Sequence, residues 1–437
     1  MDNFEVNKAL GEGRVDDPGV LPRLDEMRER RFAFKTNFGL EELPKEPGLL
    51  LVRGARQYGK STWLQRQVRD TIKKHGLGSA FLLNGDEIRN NSELVDKIRG
   101  LLPLHRADAR VRRLFIDEIT AIPEWTRALK ILADAGELRH ELVVTTGSKA
   151  ADLRHGIERL PGRKGKLART AYLFTPLSYS EFKRVCGTVI PRERLLPAYL
   201  MSGGSPVACA EIAEHGRVPE YVLNMVRDWI YGEFAAQGRS RAMLLGVMEC
   251  LYRFATAPVG QSKLAREAGL ANNTVAAGYM ELLADLMCVA PAYGWDASRR
   301  RANRRVPCKL HFSNMLVAMA WHPQHTQSID DYLSLAEERQ GEMMEWQVAQ
   351  ELWRRAAIEG KENPENMAYW RSHEHEIDFV VGEDTFLEVK RGVTSPLEFQ
   401  WFLKSFPGMQ LTVVSKSRYQ TDCVKGVTLE EFLAAER

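Results

Sequence analysis

The chain has 437 residues, of which 44% are hydrophobic and 27% charged, so we expect a folded protein of two or three domains and not a disordered chain. Its formal net charge of +3 is small for this length, which means that any charged partner must be bound at a local site. The six cysteines are scattered singly, without the spacing of zinc or redox motifs, and no run of about eighteen apolar residues occurs. These features predict a cytoplasmic protein with no membrane partner.

The first half of the chain alternates short apolar runs with amphipathic stretches, a pattern typical of β–α units around a parallel sheet. The runs are apolar almost throughout, as expected of strands that are covered on both faces. Residues 1–178 are therefore predicted to form an α/β core, with a helical segment before residue 46. The predicted strands are Gly48–Arg53, Ser79–Asn84, Arg113–Asp117, Glu141–Thr146 and Thr170–Thr175.

A glycine-rich loop follows the first predicted strand and precedes an amphipathic stretch. Its spacing, Gly-x-x-x-x-Gly-Lys-Ser, suits a loop whose backbone N–H groups surround phosphate oxygens at a helix N-terminus. Lys60 would reach the β and γ phosphates and Ser61 would hold Mg²⁺, so the predicted cofactors are ATP and Mg²⁺. The alternative is an ordinary glycine turn. The predicted nucleotide-binding residues are Gly54, Ala55, Arg56, Gln57, Tyr58, Gly59, Lys60, Ser61 and Thr62.

Two adjacent acids end the third predicted strand. We expect Asp117 to hold Mg²⁺, either as a direct ligand or by a hydrogen bond to one of its ligands. Glu118 is expected to orient and deprotonate the attacking water. The alternative is that both are surface acids, which are common at strand ends. After the next strand, Ser148 or Thr146 could contact the γ-phosphate or, equally well, cap a helix. Arg163 is a candidate for neutralising transition-state charge, in its own subunit or a neighbour's; the alternative is a solvated arginine.

The middle of the chain is predicted to be helical, with a lid over residues 179–240 and a helix-turn-helix within residues 241–325. After the helix-turn-helix, residues 299–309 contain six basic side chains and no acid, the charge expected of a wing that contacts DNA phosphates. The alternative is a protein-binding lid with a solvated basic loop. The predicted DNA-binding residues are Arg299, Arg300, Arg301, Arg304, Arg305 and Lys309.

The tail, residues 326–437, is predicted to be a small α/β domain. Two of its strands would form a hairpin that brings Asp378 and Glu388 to one metal ion, with Lys390 beside them to stabilise an attacking hydroxide. Glu345, on the preceding helix, would complete this second metal site. The pattern is that of PD-(D/E)xK nucleases, but it also persists in inactive binding modules, so a cutting tail and a binding tail are both open.

The motifs are more specific in combination than singly. They are Arg53–Ser61, Phe115–Ile119, Ile122–Trp125, Thr146–Ser148, Gly162–Arg163, Pro176–Phe182, Gly203–Pro206, Glu376–Val381 and Glu388–Lys390. In this order they resemble the bacterial and archaeal AAA-type ATPases of the AAA_14 type that carry a C-terminal DUF4143 domain. The resemblance covers nearly the whole chain, with a departure at Ala55, where family loops usually carry proline.

The resemblance implies a P-loop NTPase fold of the AAA-like, ASCE class, with a helical lid, a winged-helix middle and a restriction-endonuclease-like tail. It also implies a homo-oligomer, of which a hexameric ring is one form. Three functions are open: a motor that remodels or moves along duplex or branched DNA, an ATP-gated nuclease, and a nucleotide-dependent switch. The basic run favours the first two, and Glu118 argues against a switch that only binds nucleotide, so the first is our hypothesis.

Overall fold

The computed structural model describes residues 1–106, 109–147, 162, 165–361, 363, 367–382 and 384–435. The chain divides into two compact units. Unit 1 consists of Met1–Ala33 and Asn37–Thr175, and unit 2 of Phe34–Thr36 and Pro176–Arg437. Within the described ranges, no helix is both long enough and apolar enough to cross a membrane.

Unit 1 is an α/β structure built on a parallel sheet. Its described elements are α1 Asn3–Gly11, α2 Pro22–Glu29, β1 Gly48–Gly54, α3 Lys60–His75, β2 Ala80–Asn84, α4 Asn91–Leu101, β3 Arg113–Asp117, α5 Trp125–Asp134, β4 Leu142–Gly147 and β5 Ala171–Phe174. The strand order is β2-β3-β4-β1-β5, and every neighbouring pair is parallel. Strands β1, β4 and β3 are neighbours in this order. Because they are parallel, their C-terminal ends lie at the same edge of the sheet.

The core of unit 1 follows from its apolar strands. Leu83, Leu114 and Val143 project from the sheet and are buried against Leu94 of α4 and Leu129 of α5. Burying such side chains stabilises the fold by roughly 2 kcal/mol each. The continuous apolar pattern of the strands is thus explained by helices that cover them.

Helix α1 covers the free edge of β2 with two asparagine side chains. Asn7 Nδ2 donates to the carbonyl oxygen of Leu82 at 2.6 Å, and the Leu82 N–H donates back to Asn7 Oδ1 at 2.9 Å. One turn earlier, the Asn84 N–H donates to Asn3 Oδ1 at 2.7 Å, and Asn3 Nδ2 donates to the carbonyl of Asn84 at 3.1 Å. The two amides satisfy the edge strand as a neighbouring strand would, and so protect it from pairing with another chain.

Unit 2 combines helices with a mixed sheet. Its described elements are α6 Tyr179–Cys186, α7 Arg192–Ser202, α8 Pro206–His215, α9 Glu220–Ala236, α10 Arg241–Phe254, α11 Gln261–Glu267, α12 Asn273–Asp285, β6 Val289–Asp296, β7 Arg301–Asn303, β8 Lys309–Phe312, α13 Met315–Ala320, α14 Ile329–Ser334, α15 Glu337–Glu359, β9 Met367–Arg371, β10 Glu376–Val381, β11 Thr385–Val389, α16 Gln400–Ser405, β12 Gln410–Ser415, β13 Tyr419–Gln420, β14 Val424–Thr428 and α17 Leu429–Ala434. The sheet runs β13-β14-β12-β11-β10-β9-β6-β7, with β8 also paired to β6.

The sheet of unit 2 joins parts of the chain that the sequence analysis assigns to different domains. Strand β6 follows the helix-turn-helix segment and pairs in parallel with β9 of the tail, Tyr293 lying opposite Ala368. Strands β10 and β11 form the antiparallel hairpin predicted for the tail. The predicted boundary between residues 325 and 326 therefore separates strands of one sheet, and the division into lid, winged helix and tail stays a prediction.

The predicted fold class is confirmed: a parallel α/β core of the P-loop type is present, together with a second, mixed sheet. The five predicted core strands match the observed ones to within one residue at each end. The helix predicted to carry Glu345 is α15, which begins at Glu337 and ends at Glu359.

Candidate functional site

The phosphate-binding loop predicted from the sequence connects β1 to α3. Gly59, the residue before α3, has φ 98°, in the left-handed region that favours glycine. The first N–H groups of a helix have no acceptor within the helix, and the helix dipole adds positive potential at the same end. The start of α3 is therefore suited to bind an anion such as phosphate.

Lys60 is the first residue of α3, and its side chain is buried within this loop. Its Nζ donates hydrogen bonds to the carbonyl oxygens of Gly54 and Ala55, both at 2.8 Å. Burial lowers the pKa of Lys60 to about 8, and the negative charges of Glu118 and Asp117 act in the opposite direction. The ammonium is thus held by two loop carbonyls, close to the two acids that end β3.

Asp117 is held by hydroxyl groups from two other segments. Because β3 and β4 are parallel neighbours, Thr146 lies beside Asp117 and its hydroxyl donates a short hydrogen bond to Asp117 Oδ1. Ser61, on α3, also donates a side-chain hydrogen bond to Asp117, and the Glu118 N–H donates to Asp117 Oδ1 at 3.2 Å. Burial raises the pKa of Asp117, and the bonds from Thr146 and Ser61 oppose that rise.

Glu118 adopts a backbone conformation that is uncommon for residues other than glycine. It has φ 49° and ψ 44°, and its carbonyl accepts a hydrogen bond from the Ala121 N–H at 2.9 Å. Gly85, which follows β2, lies against this turn: a methyl group there would be 2.9 Å from the carbonyl oxygen of Asp117 and still closer to that of Glu118. The missing side chain at Gly85 lets the acidic turn occupy this position.

The arrangement fits a magnesium ion bound together with a nucleotide. Among the described residues, no group of three or more His, Cys, Asp or Glu side chains is arranged to hold a metal. Ser61 and Asp117 offer two hard oxygen ligands, and Mg²⁺ commonly takes one or two protein oxygens and completes its shell with phosphate oxygens and water. Two further predicted residues, Ser148 and Arg163, lie outside the described residues, so their roles stay predictions.

The structure separates one of the six predicted DNA-binding residues, Lys309, from the other five. Arg299 and Arg300 lie in the turn of the β6–β7 hairpin, Arg301 begins β7, and Arg304 and Arg305 follow that strand; all five side chains are exposed. Lys309 departs from the prediction, because only 1% of its surface is exposed. It begins β8 and faces the interior, where it cannot reach a DNA phosphate.

Lys309 instead lies among the acids predicted as the second metal site. Its Nζ is 2.8 Å from Asp378 Oδ1, 3.3 Å from Glu345 Oε1 and 2.5 Å from Oε1 of Glu376. The β10–β11 hairpin does bring Asp378 next to Glu388, whose Oε2 accepts a hydrogen bond from the Asp378 N–H at 3.2 Å. Three predicted residues, Asp378, Glu388 and Glu345, are thus close together, joined by a lysine from outside the tail.

The remaining predicted residue, Lys390, forms an ion pair with Glu388 Oε1. Burial raises the pKa of Glu388 to about 8, and the neighbouring charge of Asp378 adds to this rise. Burial also disfavours the charged form of Asp378, but Lys309, the Val389 N–H and Lys390 together outweigh it and hold the pKa of Asp378 below its usual value. For Lys309 the acids likewise outweigh burial, so its pKa is raised and it is protonated.

Three residues were missed or misassigned from the sequence. The sequence predicts Thr146 to be a phosphate sensor or helix cap, whereas its hydroxyl donates a hydrogen bond to Asp117. The basic run predicts an exposed Lys309, although its position in the short strand Lys-Leu-His-Phe, two residues before the buried His311, is a signal for an inward-facing side chain. The sequence gives no signal for Glu376, because its partner Lys309 is distant in sequence.

Comparison with known proteins gives a match to one family. A model of AAA_14, described as an AAA domain, matches residues 46–183, a range that includes the loop before α3 and the acids after β3. A comparison with curated proteins found no match.

Solved structures similar to this chain include the Walker-type ATPase PABY2304 of Pyrococcus abyssi, with 15% sequence identity, a TM-score of 0.39, and coverage of 69% of this chain and 94% of that one. They also include the ORC2 protein of Aeropyrum pernix, with 12% identity, a TM-score of 0.38, and coverage of 63% and 87%. A RuvB variant of Thermotoga maritima has 15% identity, a TM-score of 0.32, and coverage of 60% and 84%.

Proposed function

We propose that the protein is a cytoplasmic ATPase that couples hydrolysis of MgATP to binding and remodelling of DNA or to movement along it. The observation that supports ATP hydrolysis is the convergence of a buried lysine, a serine hydroxyl and two acids where β1, β3 and α3 meet. Lys60, Ser61 and Asp117 are within one hydrogen-bonded or electrostatic network, and Glu118 adjoins it. Each of these groups has a defined role in phosphoryl transfer to water.

The chain's own residues share the chemistry between them. The N–H groups at the start of α3 and the Lys60 ammonium would bind the phosphates. Ser61 and Asp117 would hold the magnesium, which would supply positive charge to the phosphate oxygens. Thr146 keeps the Asp117 carboxylate in place. Glu118 orients the attacking water and accepts its proton. Ser148 and Arg163 complete the proposal as γ-phosphate sensor and arginine finger, respectively.

The DNA part of the proposal is supported by exposed residues of unit 2. The five arginines of the β6–β7 region are exposed and follow two helices, α11 and α12, with the spacing of a helix-turn-helix. The first two residues of α12, Asn273 and Thr274, are exposed as well, and the preceding Asn272 caps the helix by accepting a hydrogen bond from the Val275 N–H at 3.0 Å. An exposed helix start and an arginine-rich hairpin are the two elements with which a winged helix contacts DNA.

We further propose that the active form is a homo-oligomer, a hexameric ring being one such form, in which each nucleotide lies close to a neighbouring subunit. In an oligomeric motor of this kind, hydrolysis in one subunit must change how another subunit binds DNA. An arginine finger supplied by a neighbour, the role proposed for Arg163, provides that dependence.

The first experiment measures ATP turnover of the full chain with no DNA and with linear, single-stranded and branched DNA. Lys60→Ala and Glu118→Gln should each lower turnover at least about a hundredfold, and Glu118→Gln should still bind ATP. Glu124→Gln is a matched control, because Glu124 is an exposed acid six residues further along whose side chain contacts Asn91. The ATPase proposal fails if both site variants retain wild-type turnover.

The same measurement separates the motor from a switch. Stimulation of turnover by one or more of the DNA substrates supports coupling to DNA. Slow turnover that no DNA changes would overturn the DNA proposal while leaving ATP hydrolysis intact, and would favour a nucleotide-dependent switch.

A further inference from the structure

The acidic cluster of the tail contains a buried cation that comes from a different part of the chain. Lys309 begins β8, which pairs with β6, whereas Asp378 and Glu388 belong to the β10–β11 hairpin and Glu345 to α15. The Lys309 side chain is 1% exposed, while those of Asp378 and Glu345 are 9% and 11% exposed. The ammonium is therefore buried among the carboxylates and is less exposed than they are.

The oxygens that the ammonium contacts are the ones that a metal ion would need. Its nitrogen lies 2.8 Å from Asp378 Oδ1 and 3.3 Å from Glu345 Oε1. A magnesium ion would have to lie about 2.1 Å from such oxygens, and a calcium ion about 2.4 Å, in the space that the ammonium fills. A divalent cation would also be repelled by Lys309 and by Lys390, which is paired with Glu388.

The rest of the cluster is already satisfied without a metal. Asp378 Oδ2 accepts a hydrogen bond from the Val389 N–H at 2.9 Å, and its own N–H donates to Glu388 at 3.2 Å. Each oxygen of Asp378 thus has a donor, and Glu388 has Lys390 as a partner. The residues predicted as the second metal site therefore do not fit a divalent cation.

We propose that Lys309 is a built-in cation that replaces the divalent metal of the tail, so that the Asp378–Glu388–Lys390 cluster binds no metal and the tail does not cut DNA. The cluster is then structural, because it joins β8, which pairs with the strand following the helix-turn-helix, to β10 and α15 of the tail. In such a buried cluster, removing the Lys309 ammonium leaves the acids that contact it uncompensated and destabilises the fold.

The experiment measures Mn²⁺ binding to the nucleotide-free full chain by electron paramagnetic resonance, since Mn²⁺ is accepted by sites built from carboxylates. Wild type and Asp378→Asn should bind Mn²⁺ equally, because the cluster contributes no site. Lys309→Ala should gain about one bound Mn²⁺ per chain, and the double variant Lys309→Ala/Asp378→Asn should lose it again. A rise in the melting temperature on adding Mn²⁺ should likewise appear in Lys309→Ala and be absent in wild type.

The comparison of wild type with Asp378→Asn tests the proposal even if Lys309→Ala does not fold. The proposal is overturned if wild type binds an Mn²⁺ ion that Asp378→Asn removes, or if wild type cleaves DNA in Mn²⁺ or Mg²⁺ and Asp378→Asn abolishes the cleavage. It is also overturned if Lys309→Ala folds and gains no Mn²⁺. ATP turnover is recorded in parallel, and it should be unchanged in Asp378→Asn.

Discussion

Lys60 links the chemistry of the nucleotide site to pH. Its pKa of about 8 in the nucleotide-free protein arises because burial disfavours the ammonium. The charged form binds phosphate, so above pH 8 nucleotide binding must be accompanied by uptake of a proton. The dissociation constant for ATP should be nearly constant below pH 7.5 and then rise about tenfold per pH unit above 8. A fluorescence titration with a labelled ATP analogue between pH 6.5 and 10 measures this.

Lys60→Arg is the control for that titration, because arginine stays protonated throughout the range. Its affinity is expected to be weaker but independent of pH. A wild-type affinity that does not change up to pH 10 would contradict the prediction and would mean either that the pKa of Lys60 is not lowered or that the ammonium is not needed for binding.

A substitution at Gly85 tests how closely the turn at Asp117 and Glu118 must pack against the residue after β2. The Gly85→Ala methyl group would collide with the carbonyl oxygens of Asp117 and Glu118. We expect ATP turnover to fall at least about tenfold and the free energy of unfolding to fall by about 1–3 kcal/mol. Gly100→Ala, inside α4 with no atom within 4 Å of the added carbon, should leave both quantities unchanged or slightly increase stability.

At the scale of elements, α1 should stabilise unit 1 through its hydrogen bonds to β2. Replacing Asn7 by Ala leaves both the N–H and the carbonyl of Leu82 without their side-chain partner. The free energy of unfolding, measured by urea denaturation, should fall by about 2 kcal/mol. Lys8→Ala, on the exposed face of the same helix, should change it by less than about 0.5 kcal/mol. Equal effects of the two substitutions would argue against the edge-covering role.

If the exposed arginines of the β6–β7 region bind DNA, the affinity for DNA should depend on salt concentration. If Arg300 contacts a DNA phosphate, Arg300→Ser should weaken binding to all sequences alike and reduce the slope of log affinity against log salt concentration by about 1. Lys404→Ser, on the exposed surface of α16, is the control and should leave the slope unchanged. An unchanged slope in the Arg300 variant would exclude that phosphate contact and favour a solvated hairpin.

The elements differ in how far the sequence determines them. Strands such as β1 and β3 were predictable because their apolar runs reflect burial on both faces, and the loop before α3 was predictable because its spacing serves one chemistry. The Asn3 and Asn7 contacts to β2 were not, since an amide in a helix carries no local sign of the strand it will meet. Lys309 was misassigned for a similar reason: a basic run predicts an exposed loop until pairing of β8 with β6 turns one member inward.

At the scale of the whole molecule, the shared sheet of unit 2 limits what its parts can do separately. The hairpin that carries the arginines begins with β6, and β6 pairs with β9 of the tail. A DNA contact at the hairpin would therefore act on the same sheet that contains the Lys309 cluster. A tail that neither binds metal nor cuts DNA can still support the DNA-binding hairpin through this sheet. The proposal of DNA binding and the proposal of a metal-free Lys309 cluster are therefore compatible without nuclease activity.

The proposed oligomer gives the last prediction, which concerns two subunits at once. Lys60→Ala removes phosphate binding within a subunit, and Arg163→Ala removes the proposed finger, so each variant alone should be nearly inactive. If the finger acts on a neighbour's nucleotide, a mixed oligomer contains some sites that pair an intact Lys60 with an intact Arg163. Random mixing in equal amounts gives half times half of the sites, so roughly a quarter of wild-type turnover should return.

The mixing experiment measures ATP turnover after the two variants are combined at protein concentrations that favour assembly, and size-exclusion chromatography with light scattering confirms the oligomer. A mixture of Lys60→Ala with Glu118→Gln is the control: both substitutions damage the same subunit's site, so turnover should not return. Recovery in the first mixture alone would place the finger in a neighbouring subunit. No recovery in an assembled mixture would mean that Arg163 acts within its own subunit or not at all, and the motor would then need another route between its subunits.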